Sequence, residues 1–218
     1  MDSQALIDGL IWWMGLVILV TFHEFGHAWM AWKCGDDTAK NEGRVTLNPI
    51  DHIDLIGTVI IPLAMVLLSS GGSGAGRFLI GWAKPVPVNH SNLRNPRLDD
   101  VLVTLAGPVM NVIVAILLVG LARIGVLANA ESMVEVCLDM AHFSLFLCFF
   151  NLLPIPPLDG SQIVRVITGM SYDTFARIAQ WGFVILIIAI QIPYVTWTLA
   201  LASGLSFGLL TLLFGIPI

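Results

Sequence analysis

The chain has 218 residues, of which 57% are hydrophobic and 11% charged, with a mean hydropathy of +0.88. Soluble domains carry about a quarter charged residues, so this composition excludes one and requires a membrane protein. A net charge of −5, without any basic cluster or aromatic-basic interleaving, argues against a nucleic-acid partner and places the partners in or beside the lipid bilayer.

No polar stretch is long enough to fold as a separate soluble domain. Residues 1–218 are therefore read as a single membrane-embedded domain, with a core over 5–160 and a C-terminal helical pair over 175–218. Cys34, Cys137 and Cys148 form neither a C-x-x-C pair nor an even-numbered framework, so they are read as small apolar packing residues. Asp2 and Asp8 precede the first apolar run, with no basic n-region and no A-x-A type site at a suitable distance. That run is expected to be a transmembrane helix and not a cleaved signal peptide.

In chain order, 5–34 reads as one long helix, apolar through Val20, interrupted by His23, Glu24 and His27 and ended by Gly35-Asp36-Asp37. A polar stretch follows over 36–54. Residues 55–68 are apolar but short and contain Pro62, so they either span or re-enter the membrane. Residues 69–76 are almost all Ser and Gly. Gly81-Trp82-Ala83-Lys84-Pro85-Val86-Pro87-Val88-Asn89 cannot be helical, because prolines two apart remove donors and extend the residues before them; a surface strand or loop is predicted. Four further helices are predicted over 101–121, 134–153, 175–192 and 195–214, the last two joined by a tight turn at Pro193-Tyr194. The fold class is an all-α polytopic membrane protein of five to six transmembrane helices, with a re-entrant or extended Gly/Pro-rich segment around a metal site.

His23-Glu24-Phe25-Gly26-His27 is an H-E-x-x-H pentad. Residues four apart share a helix face about 6 Å apart along the axis, so two imidazoles can grip one ion. Glu24 lies beside that ion without needing to ligate it, which suits a base that takes a proton from metal-activated water. Three ionisable groups within five residues of a lipid-embedded helix are costly for a plain packing role. A catalytic zinc wants a third protein ligand. Asp159 is the strongest candidate, in Asn151-Leu152-Leu153-Pro154-Ile155-Pro156-Pro157-Leu158-Asp159-Gly160, where three prolines prevent a helix at the end of an apolar span. His52 is the alternative, although a histidine between Asp51 and Asp54 more often makes interfacial hydrogen bonds. Cys34 is about 10 Å along the axis from His27, too far to share a tetrahedron. His90 and His142 are read as structural, and Asn111 as a helix-packing contact. A metal-transport protein using the same ligands is the competing class, but it has no need of Glu24 and usually spreads ionisable residues over several spans.

The pentad with the Asn151 to Gly160 stretch looks like the site-2 protease family of intramembrane zinc metalloproteases. Leu105-Ala106-Gly107-Pro108 with Asn111, the 81–89 stretch, and Asn48-Pro49 followed by His52-Ile53-Asp54 add to the likeness, which covers most of 22–160. The resemblance implies one zinc per chain held by His23, His27 and Asp159, with Glu24 as catalytic base and Asn151 assisting at the substrate or oxyanion. It also implies a role in regulated intramembrane proteolysis of a membrane-protein substrate whose transmembrane segment unwinds locally. The setting expected is a bacterial or archaeal cell membrane. The likeness is to a minimal form, without a recognisable PDZ insertion or nucleotide-sensing tail, and Leu55 stands where close relatives often have proline.

Topology follows from charge. If 55–68 does not span, Lys33, Lys40, Arg44, Arg77, Lys84, Arg94, Arg97, Arg165 and Arg177 share one side and Arg123 alone takes the other. A full crossing would divide them six to four. The positive-inside rule favours the first arrangement, with five spans, an external N-terminus and an active site toward the cytoplasm.

Overall fold

The computed structural model describes residues 3–68 and 81–216; the Ser/Gly-rich stretch and Arg77 lie outside the described residues. Among these residues every regular element is helical. The chain divides into two compact units, 1–92 and 93–218.

In the first unit, helix α1 covers Ser3–Cys34 and the short α2 covers Thr38–Asn41. At about 1.5 Å per residue, the 32 residues of α1 exceed a hydrocarbon core of about 30 Å. A π-helical turn over Leu55–Ile60 runs into α3, Ile61–Leu68. Pro62 is the second residue of α3, where the preceding turn already departs from i−4 pairing. Asp54 starts this run: its carboxylate accepts from the backbone N–H groups of Ile56 and Gly57 at 3.0 and 2.6 Å, as a helix cap should. The combined segment is only about 21 Å long, short of a full crossing. Two contacts tie it to α1. Trp13 Nε1 donates to the Thr58 carbonyl at 2.8 Å, and Val66 packs so closely on Gly9 that a Cβ there would meet its Cγ1 at 2.6 Å.

The second unit holds α4 (Pro96–Leu127), α5 (Glu131–Asn151), α6 (Asp159–Thr168), α7 (Tyr172–Ala179), α8 (Gly182–Ile190) and α9 (Pro193–Leu213). α4 and α5 form a hairpin whose core contains Ala115, Val119, Ala122, Cys137, Ala141 and Leu145. Small residues let the backbones approach, which is how helices associate where lipid removes the hydrophobic drive. α4 continues through Pro108, a break that packed membrane helices tolerate. The buried Ser144 hydroxyl donates to the Asn111 carbonyl at 2.8 Å, so Asn111 lies at a helix-packing contact as expected. All three cysteines are buried, and none is in a disulfide.

Among the described residues four helices, α1, α4, α5 and α9, are long and apolar enough to cross a membrane, and α7 with α8 makes a fifth if that pair counts as one span. The single helix expected over 175–192 is instead this pair, bent by 56°. At the break Gly182 lies against the Pro156 carbonyl, 2.5 Å from where a Cβ would sit, so only glycine lets the Pro-rich segment approach this closely. Pro193 opens α9 at its first turn, where its missing N–H is harmless.

Candidate metal centre

α1 carries the pentad on its C-terminal half. His23 and His27 are 6% and 8% exposed, and their Nε2 atoms face one another at 3.1 Å with the rings at 81°. Two nitrogens about 2.05 Å from a tetrahedral ion stand roughly 3.3 Å apart, so this pair fits a shared zinc. Both imidazoles offer the same nitrogen, as expected from successive turns of one helix. Thr21, also buried, returns its hydroxyl to the Val17 carbonyl at 2.7 Å and so brings no competing polar group to the pair.

Glu24 accepts the backbone N–H of Val86 at Oε2, 3.2 Å away. Val86 belongs to the predicted non-helical stretch, which is irregular extended chain and not a strand. Its placement comes from several pins. The Trp82 N–H donates to the Gly57 carbonyl at 3.2 Å, and its own carbonyl accepts from the Thr58 hydroxyl at 2.7 Å. The Lys84 N–H donates to the His52 carbonyl at 2.9 Å. Farther on, the Asn89 N–H reaches Asp36 Oδ2 at 2.7 Å. Gly57 is required here, because any Cβ would overlap the Trp82 ring.

His52 is buried at 1% exposure, and its Nε2 lies 2.9 Å from the Thr46 carbonyl. With its backbone carbonyl on Lys84, it bridges the 46–52 loop to the extended segment, a structural use that matches the hydrogen-bonding reading.

Asp159 opens α6 in the second unit, following an extended Leu158. Gly160 explains the Asp-Gly pair: a Cβ at that position would overlap the Leu152 carbonyl and lie 2.5 Å from the Leu153 oxygen. Only glycine lets the helix start this close to the end of α5. Ser161 adds a bond from its hydroxyl to the Leu158 carbonyl at 2.6 Å. Asn151 is the last residue of α5 and donates its Nδ2 to the Leu147 carbonyl at 2.9 Å. His142 stacks on Phe207 with centroids 5.0 Å apart, the structural role expected for it.

Sequence reading missed a buried ion pair on α6. Arg165 pairs with Asp100 of α4, stacks 3.9 Å over the Tyr172 ring and donates Nε to Gln162 at 2.9 Å. Tyr172 donates its hydroxyl to the same Asp100 oxygen at 3.3 Å. Asp99-Asp100 at the entrance of an apolar helix was the available signal, since acidic groups there need a cation.

Comparison with known proteins supplies the class. The description "Peptidase family M50" matches residues 11–128 and 119–190. YwhC of Bacillus subtilis (strain 168), named as a candidate zinc metalloprotease, is 36% identical over 193 residues, covering 84% of this chain and 82% of YwhC. Rip2 of Mycolicibacterium smegmatis, named in the same way, is 31% identical over 184 residues, covering 82% of this chain and 66% of Rip2. No solved structure matches.

Proposed function

Because the chain belongs to peptidase family M50 and is a membrane zinc metalloprotease, we propose that its catalytic centre is His23, His27 and Asp159 holding one zinc, with Glu24 as general base. The substrate proposed is a peptide bond in or near a transmembrane segment of another membrane protein. The observation that carries this reading is the facing pair of buried Nε2 atoms at 3.1 Å with a carboxylate on the residue next to His23.

Zinc held by these residues would acidify a coordinated water and polarise the scissile carbonyl. Glu24 takes the proton from the attacking water and returns it to the departing amine, so the carboxylate ends each cycle unchanged. The Val86 N–H on Oε2 supports this role by holding one carboxylate oxygen and leaving the other for the proton. Asn151 serves as the polar assistant at the substrate carbonyl through the second hydrogen of its Nδ2, the first being donated to the Leu147 carbonyl. Burial of the histidines supports a water-poor site, where each electrostatic contact is stronger. A helical peptide bond is shielded by its own hydrogen bonds, so the substrate must unwind locally before cleavage. The two units are read as one membrane-embedded catalytic domain in a bacterial or archaeal cell membrane, with the active site toward the cytoplasm.

Metal analysis of purified variants tests the ligand set. Asp159→Ala is expected to weaken zinc binding, because two histidines alone lack the third anchor. His52→Ala is expected to keep about one zinc per chain. Wild-type affinity in Asp159→Ala together with zinc loss in His52→Ala would reassign the third ligand.

A further inference from the structure

The extended segment meets the first unit through alternate residues. Trp82, Lys84 and Val86 each donate a backbone N–H inward, to Gly57, His52 and Glu24 respectively. A period of two is what an extended chain imposes. Pro85 and Pro87 flank Val86 and have no N–H, so Val86 carries the one backbone donor of the 85–87 stretch. That donor is spent on the carboxylate beside the metal-binding pair.

Arg44 lies behind the same stretch. It is 3% exposed, and its Nη2 donates to the Lys84 carbonyl at 2.5 Å and to the Pro85 carbonyl at 3.4 Å. Its Nε and Nη1 have no partner among the described residues. A buried guanidinium met only by carbonyls is expensive, and ordinary packing would not select it. The Pro85 C=O and the Val86 N–H belong to one planar peptide unit, so holding the oxygen at one end aims the hydrogen at the other.

We propose that Arg44 is a positioning residue which, through the Lys84 and Pro85 carbonyls, aims the Val86 N–H at Glu24 and so fixes the carboxylate of the general base. This rests on Glu24 being that base. Arg44 itself touches neither the substrate nor the proton. Its grip keeps the Glu24 side chain in one rotamer as the proton arrives and leaves, which lowers the reorganisation needed at the chemical step.

Amide hydrogen exchange on the full-length protein in micelles tests this, with turnover of a quenched-fluorescence transmembrane peptide and zinc per chain measured alongside. The flanking prolines isolate the Val86 signal. In Arg44→Ala the Val86 amide is expected to exchange at least about tenfold faster than in wild type. The kcat should fall while KM and zinc content hold, and Arg44→Lys should recover part of both the exchange protection and the kcat. Glu24→Ala should release the same amide. Unchanged Val86 exchange in Arg44→Ala would overturn the proposal, as would an equal acceleration throughout α1, which would make Arg44 a residue of the fold alone. If Arg44→Ala fails to fold, Val86→Pro removes the donor, together with the valine side chain, from a segment already extended. It should retain zinc and lose kcat, with Val86→Ala active as its control. Full turnover in Glu24→Gln would remove the base reading itself, whereas an inactive Glu24→Gln beside a fully active Val86→Pro would overturn this proposal alone.

Discussion

Asp36 Oδ2 accepts the backbone N–H of Asn89 at 2.7 Å, so the residue that closes α1 also anchors the far end of the extended segment. Asp36 takes three more hydrogen bonds, from the Thr38 N–H and hydroxyl and from Asn92 Nδ2. Burial alone would push its carboxyl up; the side chains of Thr38 and Asn92 and the N–H groups of Asn89 and Thr38 outweigh that and hold it below its ordinary 3.8. A depressed folded-state pKa stabilises the protein above the unfolded value, and that contribution is lost as pH falls through the folded one. The protection of the Asn89 amide, relative to its intrinsic exchange rate at each pH, should therefore hold at neutral pH and be lost only as pH falls below 3.8. Asp36→Asn should give fast exchange at every pH, with about 1–3 kcal/mol of local stability removed.

Gly160 sits where a methyl group would overlap the Leu152 carbonyl. Gly160→Ala must push the start of α6 away from the end of α5, costing about 1–3 kcal/mol. On the proposed ligand set it should also lower zinc occupancy, because Asp159 begins the displaced helix. Thermal unfolding and metal content measured on the same preparation check the two effects together.

The pentad, the Asp-Gly pair and the helical character of the chain were legible from the sequence, because each rests on local chemistry: i and i+4 spacing, proline's missing donor, and long apolar runs. The extended character of 81–89 was legible for the same reason. Its route was not. Whether Val86 meets Glu24, or Arg44 meets the Lys84 carbonyl, depends on pairings 62 and 40 residues apart, and no periodicity encodes those. The break in 175–192 was hidden likewise, since Gly182 reads as an ordinary helix residue until Pro156 is found against it. The Asp100 and Arg165 pair escaped because its members are 65 residues apart and no local pattern joins them.

That pair yields a double-mutant test. Both side chains are buried, so Asp100→Ala leaves an uncompensated cation and should cost about 3–5 kcal/mol. Replacing both partners with apolar residues, Asp100→Leu with Arg165→Met, should be much less damaging than either single change. Denaturation midpoints of the four proteins in one detergent give the coupling directly.

Topology is tested in the first unit. On the proposed orientation, in which α1 crosses and the 55–68 segment re-enters, Ser3→Cys and Asn92→Cys should label from opposite sides of the membrane once Cys34, Cys137 and Cys148 are removed. Labelling of both from the same side would contradict the proposed orientation.

The central claim is that Glu24 moves the proton and does not hold the metal. Glu24→Gln keeps the shape of the side chain and removes its basicity, so zinc content and peptide cleavage measured on one purified sample separate the two roles. The account predicts about one zinc per chain with cleavage reduced at least about a thousandfold. Substantial residual proteolysis at full zinc occupancy would contradict it.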